Sequence, residues 1–144
     1  MTARHDGEIG FRSYEEWLKQ VPDSLTGDGL WQLVTYRQAL FLSDLAWYDT
    51  AKLMEDSRGK GIAWQLVDSV GSISANIEEG YGRGYGKDYA RFLRISIGSA
   101  REARGWYFRG RHVIEEKVVQ HRMELIDEII ARLIVLARQQ RSSS

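Results

Sequence analysis

The sequence predicts an all-α protein, an antiparallel up-down-up-down four-helix bundle with a short N-terminal helical extension. Apolar residues recur at three- and four-residue spacings over four long segments, and no segment shows the two-residue alternation typical of strands. Short connections between long helices favour antiparallel neighbours. We expect the extension over residues 1–29, the bundle over residues 30–140 and a frayed tail over residues 141–144.

Composition limits the kinds of protein that this chain can be. Its 144 residues, 43% of them hydrophobic, suit one globular domain. The absence of cysteine excludes disulfides, thiolate nucleophiles and cysteine-ligated metals. No apolar signal segment opens the sequence and no stretch reaches the ~18 apolar residues of a membrane span, so we expect a cytoplasmic protein without membrane contact.

The N-terminal extension is predicted to contain one short helix. Ser13 and Glu16 have the spacing of a capping box just ahead of Trp17, and Pro22 stops the turn that follows. The breaker cluster at residues 26–29 then separates the extension from the first long helix.

The first long helix is predicted from Leu30 to about Met54. Two apolar columns repeat every seven residues along it, and columns about 100° apart indicate packing against more than one neighbour. The columns are Leu33, Leu40, Trp47 and Met54, and beside them Val34, Phe41 and Tyr48.

The second long helix is predicted to follow a loop at residues 57–61 and to end at Gly80. Every second residue from Gly80 to Gly86 is glycine, which we expect to be too glycine-rich to stay helical. The apolar face of this helix is Ala63, Leu66, Val67, Val70, Ile73, Ser74 and Ile77.

The third and fourth long helices are predicted from Lys87 to Arg109 and from Glu116 to Gln139. Small residues in the middle of the third helix's inner seam let a neighbouring helix approach closely. That seam is Tyr89, Phe92, Ser96, Ser99, Ala103 and Trp106. The fourth helix repeats Val119, Met123, Ile126, Ile130, Leu133 and Ala137.

Catalytic and cofactor-binding motifs are missing from the sequence. The glycine run lacks the Gly-Lys-Ser/Thr of a phosphate-binding loop and the third glycine of a dinucleotide fingerprint. The three histidines, His5, His112 and His121, lack metal-ligand spacings, and we interpret the helix face that His121 shares with Glu124 and Glu128 as solvated. We therefore expect no catalytic residue, metal, cofactor or small-molecule substrate, and hence no enzyme.

The strongest functional signal is a segregation of charge. The 20 basic and 20 acidic residues cancel, yet residues 83–112 carry eight basic and two acidic side chains. Aromatic rings at Tyr85, Tyr107 and Phe108 lie in or beside this segment, and such rings among arginines can stack on bases. Nucleic-acid contact and ion pairing with the first long helix or another subunit are both open. Spacings of three, four and seven residues predict one helix face for Lys87, Arg91, Arg94, Arg101, Arg104 and Arg111.

One part of the sequence is distinctive. Residues 72–84 read Ser-Ile-Ser-Ala-Asn-Ile-Glu-Glu-Gly-Tyr-Gly-Arg-Gly, and Arg91-Phe92-Leu93 and Gly98-Ser99 follow on the third helix. This pattern resembles the signature of the four-helix-bundle proteins encoded in intervening sequences of bacterial 23S rRNA genes, over roughly residues 30–140. The motif positions that fall in register include Asn76, Glu79, Gly80, Gly82, Arg83, Gly84 and Glu102.

The resemblance implies an antiparallel bundle that assembles as a ring-like homopentamer, with no established enzymatic activity. By similarity to accessory bundle proteins of diversity-generating retroelements, it also implies a nucleic-acid role, with RNA or DNA as the partner. Repeated around a ring, the basic residues of the third helix would concentrate positive charge on one surface, which favours structured RNA such as rRNA. A purely structural assembly protein is the alternative. We further expect Glu79 and Glu102 to bond Arg83 or Arg91 where the second helix meets the third, because carboxylates and guanidinium groups near a buried turn need partners.

Overall fold

The computed structural model describes residues 10–142, and within them it contains six α-helices and no strand, so the all-α prediction is confirmed. Three short 3₁₀ turns lie at Gly29–Gln32, Leu53–Glu55 and Gly110–His112. None of the helices in this part of the chain combines the length and apolar character needed to cross a membrane. The helices are α1 (Tyr14–Leu18), α2 (Asp23–Thr26), α3 (Val34–Asp49), α4 (Gly59–Gly82), α5 (Lys87–Arg109) and α6 (Glu116–Ser142).

The four long helices enclose the core. Helix α4 packs against α5, α5 against α6, and α3 against both α4 and α6, so each long helix contacts two others. Burial of apolar side chains between them is the main favourable contribution to folding. The largest fully buried aliphatic side chains come from all four helices and from the turn at Leu53–Glu55: Leu42, Leu53, Leu66, Ile73, Ile77, Leu93, Ile126, Ile129 and Leu133.

The described part of the extension, residues 10–29, holds two short helices where one was predicted. Ser13 caps α1 as its spacing predicted, since its hydroxyl accepts a hydrogen bond from the Glu16 N–H at 3.2 Å. Pro22 ends the first turn but also precedes α2 as its N-cap residue, where its fixed φ does no harm.

Aromatic residues of the extension cover one flank of α3. The rings of Phe11, Tyr14 and Trp17 lie 5.8, 5.2 and 5.3 Å from the ring of Phe41. The Trp17 indole also donates a hydrogen bond to Asp44 Oδ2 at 2.7 Å. The prediction that the first long helix packs against more than one neighbour is therefore confirmed.

The predicted bounds and core columns of the first long helix need correction. A 3₁₀ turn occupies Gly29–Gln32, so α3 begins at Val34, and it ends at Asp49. Trp47 and Met54 are 68% and 41% exposed, whereas Leu42 and Leu45 are buried. Two residues along a helix turn it by about 200°, which directs Trp47 away from the core that Leu45 enters.

Helix α4 is longer than predicted at both ends. Asp56 accepts hydrogen bonds from the N–H groups of Arg58 and Gly59. The helix therefore begins at Gly59, within the segment that was predicted to be a loop. It also runs through Gly80 to Gly82. Glycine is required at 80 because a β-carbon there would lie 2.8 Å from Cδ1 of Tyr89, and the close packing offsets its poor helix propensity.

Helix α5 has the predicted bounds, and its small seam residues allow the close approach that was expected. The Ser96 hydroxyl donates to the Ile73 carbonyl of α4 at 2.8 Å, and the hydroxyls of Ser72 and Ser99 lie 2.9 Å apart. Helix α6 continues to Ser142, past the expected end at Gln139, and residues 143–144 lie outside the described part of the chain.

Candidate nucleic-acid interface

A tight turn between α4 and α5 sets the start of the candidate site. Gly84 and Gly86 have φ of +93° and +86°, a left-handed backbone conformation that residues other than glycine rarely adopt. The Gly86 N–H donates to Oε1 of Gln140 on α6 at 3.1 Å, which ties the turn to the end of the last helix. Tyr85, between the two glycines, is 72% exposed.

The outer side of α5 carries a row of exposed basic residues, which we call the basic face. Arg109 was not singled out from the sequence, yet it belongs here: 22 residues after Lys87, a straight helix of 3.6 residues per turn returns to within about 40° of the same direction. A strict seven-residue frame hides this, because it drifts against the true helical period. The basic face is Lys87, Arg91, Arg94, Arg101 and Arg109.

Two residues of the predicted set lie apart from the basic face. Arg104 is turned about 100° from Lys87, and its Nη1 donates to Asp127 Oδ1 of α6 at 2.7 Å. Arg111 follows the end of α5, in the turn at Gly110–His112, and its guanidinium lies 4.0 Å from the centroid of the Phe108 ring.

The basic residues differ in how far other side chains satisfy them. Arg91 donates to Asp88 Oδ1 at 3.3 Å, and its guanidinium lies 4.5 Å from the centre of the Phe92 ring. Lys87, Arg94 and Arg101 form no ion pair with any side chain of residues 10–142. Arg109 also forms no ion pair within residues 10–142, and its guanidinium lies 4.6 Å from the centroid of the Trp106 ring. The charges of these four residues are therefore available to an external anion.

Only two of the three aromatic residues noted in the sequence are accessible. Phe108 is 51% exposed and Tyr85 72% exposed, whereas Tyr107 is fully buried. The hydroxyl of Tyr107 donates to Asp49 Oδ2 at 2.8 Å, so this ring belongs to the core and cannot stack on a base.

The motif at the end of α4 is partly structural, as predicted. Arg83 Nη2 donates to Glu79 Oε1 at 3.0 Å, so the expected pairing of Glu79 is confirmed, although it runs along α4 and is exposed to solvent. Arg83 reaches α5 through Asp88, at 3.7 Å. Glu102 is exposed and forms no hydrogen bond with the described residues, so its expected pairing is wrong; α5 directs it to solvent.

Asn76, another motif residue, acts inside the helix pair. Its amide donates to the Ser72 carbonyl at 2.8 Å and to the Ser72 hydroxyl at 2.9 Å. Since Ser72 in turn meets Ser99, Asn76 orients the hydroxyl pair that joins α4 to α5. Gly82, the last residue of α4, has open space around it.

A buried polar network that was not foreseen joins α3, α5 and α6. Arg122 binds Asp49 through Nε and Nη2, at 2.7 and 3.0 Å, and Tyr107 donates to the same carboxylate. Arg122 Nη1 also lies 2.6 Å from His121 Nδ1, which must accept because a guanidinium only donates. The sequence holds a signal for it: Arg122 interrupts the apolar repeat that contains Val119 and Ile126.

Burial and the neighbouring charges shift the pKa values of three groups in this network, Tyr107, Arg122 and His121. Burial raises the pKa of the Tyr107 hydroxyl well above its usual value, and the charge of Asp49 raises it further. Although burial opposes it, hydrogen bonding to Asp49 raises the pKa of Arg122. Burial, and then the charge of Arg122, lower the pKa of His121. The groups therefore hold helices together, and the described residues contain no cluster that could ligate a metal.

Comparison with known proteins gives one match. The family model described as 23S rRNA-intervening sequence protein matches residues 32–135, which is 104 of the 144 residues. The matched range takes in all of α3, α4 and α5 and most of α6, and it leaves out α1 and α2. No curated protein and no solved structure matches the chain significantly.

Proposed function

The chain belongs to the family of 23S rRNA-intervening sequence proteins, and from that premise we propose that it is a non-enzymatic, oligomeric helical-bundle protein that binds structured RNA. The proposed contact surface is the basic face of α5. The observation that carries the proposal is that Lys87, Arg94 and Arg101 are exposed and form no ion pair with any side chain of the described residues 10–142. The cytoplasmic location expected from the sequence stays a prediction.

The proposed architecture is an antiparallel bundle of α3 to α6. Contacts between successive helices support it, because residue numbers rise along one helix as they fall along its neighbour, as antiparallel packing requires. The pairs are Ser72 with Ser99 and Gly80 with Tyr89 between α4 and α5, and Arg104 with Asp127 and Gly86 with Gln140 at the α5–α6 contact.

Phosphate contacts suit the basic face better than recognition of base edges. The face extends over the whole of α5, which at 1.5 Å per residue is about 33 Å from Lys87 to Arg109. One guanidinium group can donate two parallel hydrogen bonds to the oxygens of a phosphate. Binding of these cations releases counterions from the nucleic acid. We therefore expect strong salt dependence and weak sequence preference.

Exposed tryptophans support self-association. Trp47 on α3 and Trp64 on α4 are 68% and 69% exposed, and exposed apolar side chains mark contact surfaces where they form one contiguous patch. The hydrogen bond from Tyr36 to Glu78 Oε2, at 2.6 Å, sets the register of α3 against α4. In an antiparallel pair this register brings Trp47 level with Val67, about one turn from Trp64.

A second apolar surface offers the complement that a closed ring needs. An open groove of about 550 Å³ lies between the start of α3 and α6, and it includes Val34 and Val135, which are 39% and 52% exposed. Cyclic rings join two different surfaces of the same chain, each buried by the next copy. We propose that the surface formed by Trp47 and Trp64 on one copy enters this groove on the next copy, in the homopentamer that the resemblance implies.

A titration of the full-length protein tests RNA binding. Fluorescence anisotropy with a labelled RNA hairpin, between about 50 and 200 mM salt, compares wild type with Arg94→Glu/Arg101→Glu. The matched control, Lys19→Glu/Lys52→Glu, makes the same change in net charge on exposed residues away from α5. We expect the double variant on α5 to lose about 2 units of salt slope and the control to keep them.

The same titration can reject the proposal. Wild type that binds neither RNA nor DNA at the lower salt would leave a purely structural assembly protein. Equal losses in the two double variants would show that net charge, and not the basic face, determines binding.

Light scattering after size exclusion tests the oligomer. A pentamer has about five times the 16.6 kDa of the chain, and Trp64→Ser should lower that mass. Tyr85→Ser, which removes an equally exposed ring away from the proposed interface, should not change it. A monomer at micromolar wild-type protein would contradict the assembly.

A further inference from the structure

Tyr85 is an accessible aromatic ring held in a defined place. Among the large hydrophobic side chains of residues 10–142 it is the most exposed, at 72%, and it lies two residues before Lys87, where the basic face begins. The glycines on either side have positive φ, and Gly86 is bonded to Gln140 of α6. The backbone at Tyr85 is therefore constrained while its ring faces solvent, so a ligand that stacks on it loses little further loop entropy.

The other end of α5 presents a second aromatic surface. Phe108 is 51% exposed, and the guanidinium of Arg111 lies 4.0 Å from its ring centroid. The same guanidinium donates to the Phe108 carbonyl at 3.0 Å, which holds it beside the ring. Because the guanidinium lies over one face of the ring, a nucleobase can stack on the opposite face of Phe108 or on the outer side of the guanidinium.

Exposed cations fill the interval between the two rings. Arg94 and Arg101 lie one above the other on the basic face, about 10 Å apart along the helix axis. Between them lies Gly98, where an added β-carbon would meet nothing within 4 Å. The backbone of α5 is thus open at its middle, and a strand could lie directly along it.

From this arrangement we propose that the basic face takes single-stranded RNA, with unpaired bases stacked on Tyr85 and Phe108 and the intervening phosphates bound by Arg94 and Arg101. This inference rests on the proposed function and specifies its ligand as the unpaired loops and ends of structured RNA. A duplex hides its base faces by stacking them on each other, whereas an unpaired strand offers a face at every base.

The experiment compares an unstructured oligouridylate with a blunt-ended RNA duplex of the same length and label, using full-length protein at low salt. We expect the single strand to bind at least about tenfold more tightly, and Tyr85→Ala to lose about tenfold for the single strand alone. Tyr85→Phe keeps the ring and should retain the wild-type affinity. Phe108→Ala should weaken single-strand binding without changing the mass of the particle.

Each outcome has one reading. Equal affinity for both RNAs, or Tyr85→Ala equal to wild type while Arg94→Glu/Arg101→Glu loses binding, would overturn the stacking inference and leave the proposed function standing. No binding of either RNA by wild type would overturn both. Loss in Tyr85→Phe as large as in Tyr85→Ala would also contradict stacking, because the phenylalanine ring offers the same face.

Discussion

The guanidinium of Arg122 on α6 and the carboxylate of Asp49 at the end of α3 form a paired hydrogen bond, with Nε to Oδ2 at 2.7 Å and Nη2 to Oδ1 at 3.0 Å. Both side chains are buried, at 9% and 5% exposure. Tyr107 of α5 donates to the same carboxylate, so one acidic group joins three helices.

Removing one partner of this pair should be costly. Arg122→Met leaves the buried Asp49 side chain without its guanidinium partner, and we expect the free energy of unfolding to fall by about 3–5 kcal/mol in urea denaturation. Arg138→Met is the matched control, because Arg138 lies on the same helix and is exposed. A loss below about 1 kcal/mol in Arg122→Met would contradict a stabilising role for the pair.

Alkaline pH should weaken the fold through Tyr107. Its pKa is raised above the usual value of 10.0 in the folded state, mainly by burial. Above that usual value the unfolded chain loses the proton first, so stability is present at lower pH and declines as pH rises towards the folded pKa. Where the folded state binds one proton more than the unfolded state, the free energy of unfolding falls by about 1.4 kcal/mol for each pH unit of increase.

The substitution Tyr107→Phe isolates this contribution. The variant should be less stable than wild type at neutral pH, since the Asp49 carboxylate loses a donor, but its stability should fall less steeply above about pH 10. Denaturation curves at several pH values measure both slopes. Parallel slopes for wild type and Tyr107→Phe would show that this hydroxyl does not titrate differently in the two states.

Gly80 and Gly71 make a matched pair of glycines within α4. Gly80→Ala should destabilise by about 1–3 kcal/mol, because its β-carbon would lie 2.8 Å from Tyr89 Cδ1 and 2.9 Å from Phe92 Cβ. Gly71→Ala meets nothing within 4 Å and should stabilise by up to about 1 kcal/mol through helix propensity. Chemical denaturation decides between them. Equal stabilisation by Gly80→Ala and Gly71→Ala would show that the contact between α4 and α5 can rearrange to accept the β-carbon at little cost.

Periodicity predicted the helices well where local signals set their bounds. It predicted burial less well where a side chain's environment depends on residues far away in the sequence. The bounds of α5 follow from the glycine turn before it and the apolar seam within it, and both are local signals. The exposure of Trp47 could not be predicted in the same way. A large apolar side chain fits an apolar column, but its type does not show which face of α3 packs against the core.

The candidate site shows the same division. Charge segregation located α5, but the partners of each cation come from elsewhere in the fold: Asp127 for Arg104, and none within residues 10–142 for Arg101. Arg122, an apparent surface charge in the sequence, is buried because Asp49, 73 residues away, compensates it. Such long-range pairs are not visible in one sequence.

The ion pair between Arg104 and Asp127 lies beside the basic face, because three residues along α5 turn Arg104 by about 60° from Arg101. Its atoms are 2.7 Å apart, and the side chains are 37% and 58% exposed. An exposed pair contributes little to stability, so either residue can be changed without unfolding the protein. In its paired state Arg104 has its charge compensated, which makes it a weaker phosphate ligand than Arg101, for which the described part of the chain supplies no acidic partner.

Releasing Arg104 should therefore strengthen RNA binding. Asp127→Asn removes the competing carboxylate, and we expect higher affinity with a salt slope steeper by about 1. The control Glu128→Gln makes the same change in net charge, at a residue bonded to Gln38 of α3, and should add less. Adding Arg104→Gln to Asp127→Asn should remove most of the gain, because the freed guanidinium is its source. If Asp127→Asn and Glu128→Gln gain equally, net charge accounts for the effect and Arg104 takes no part in binding.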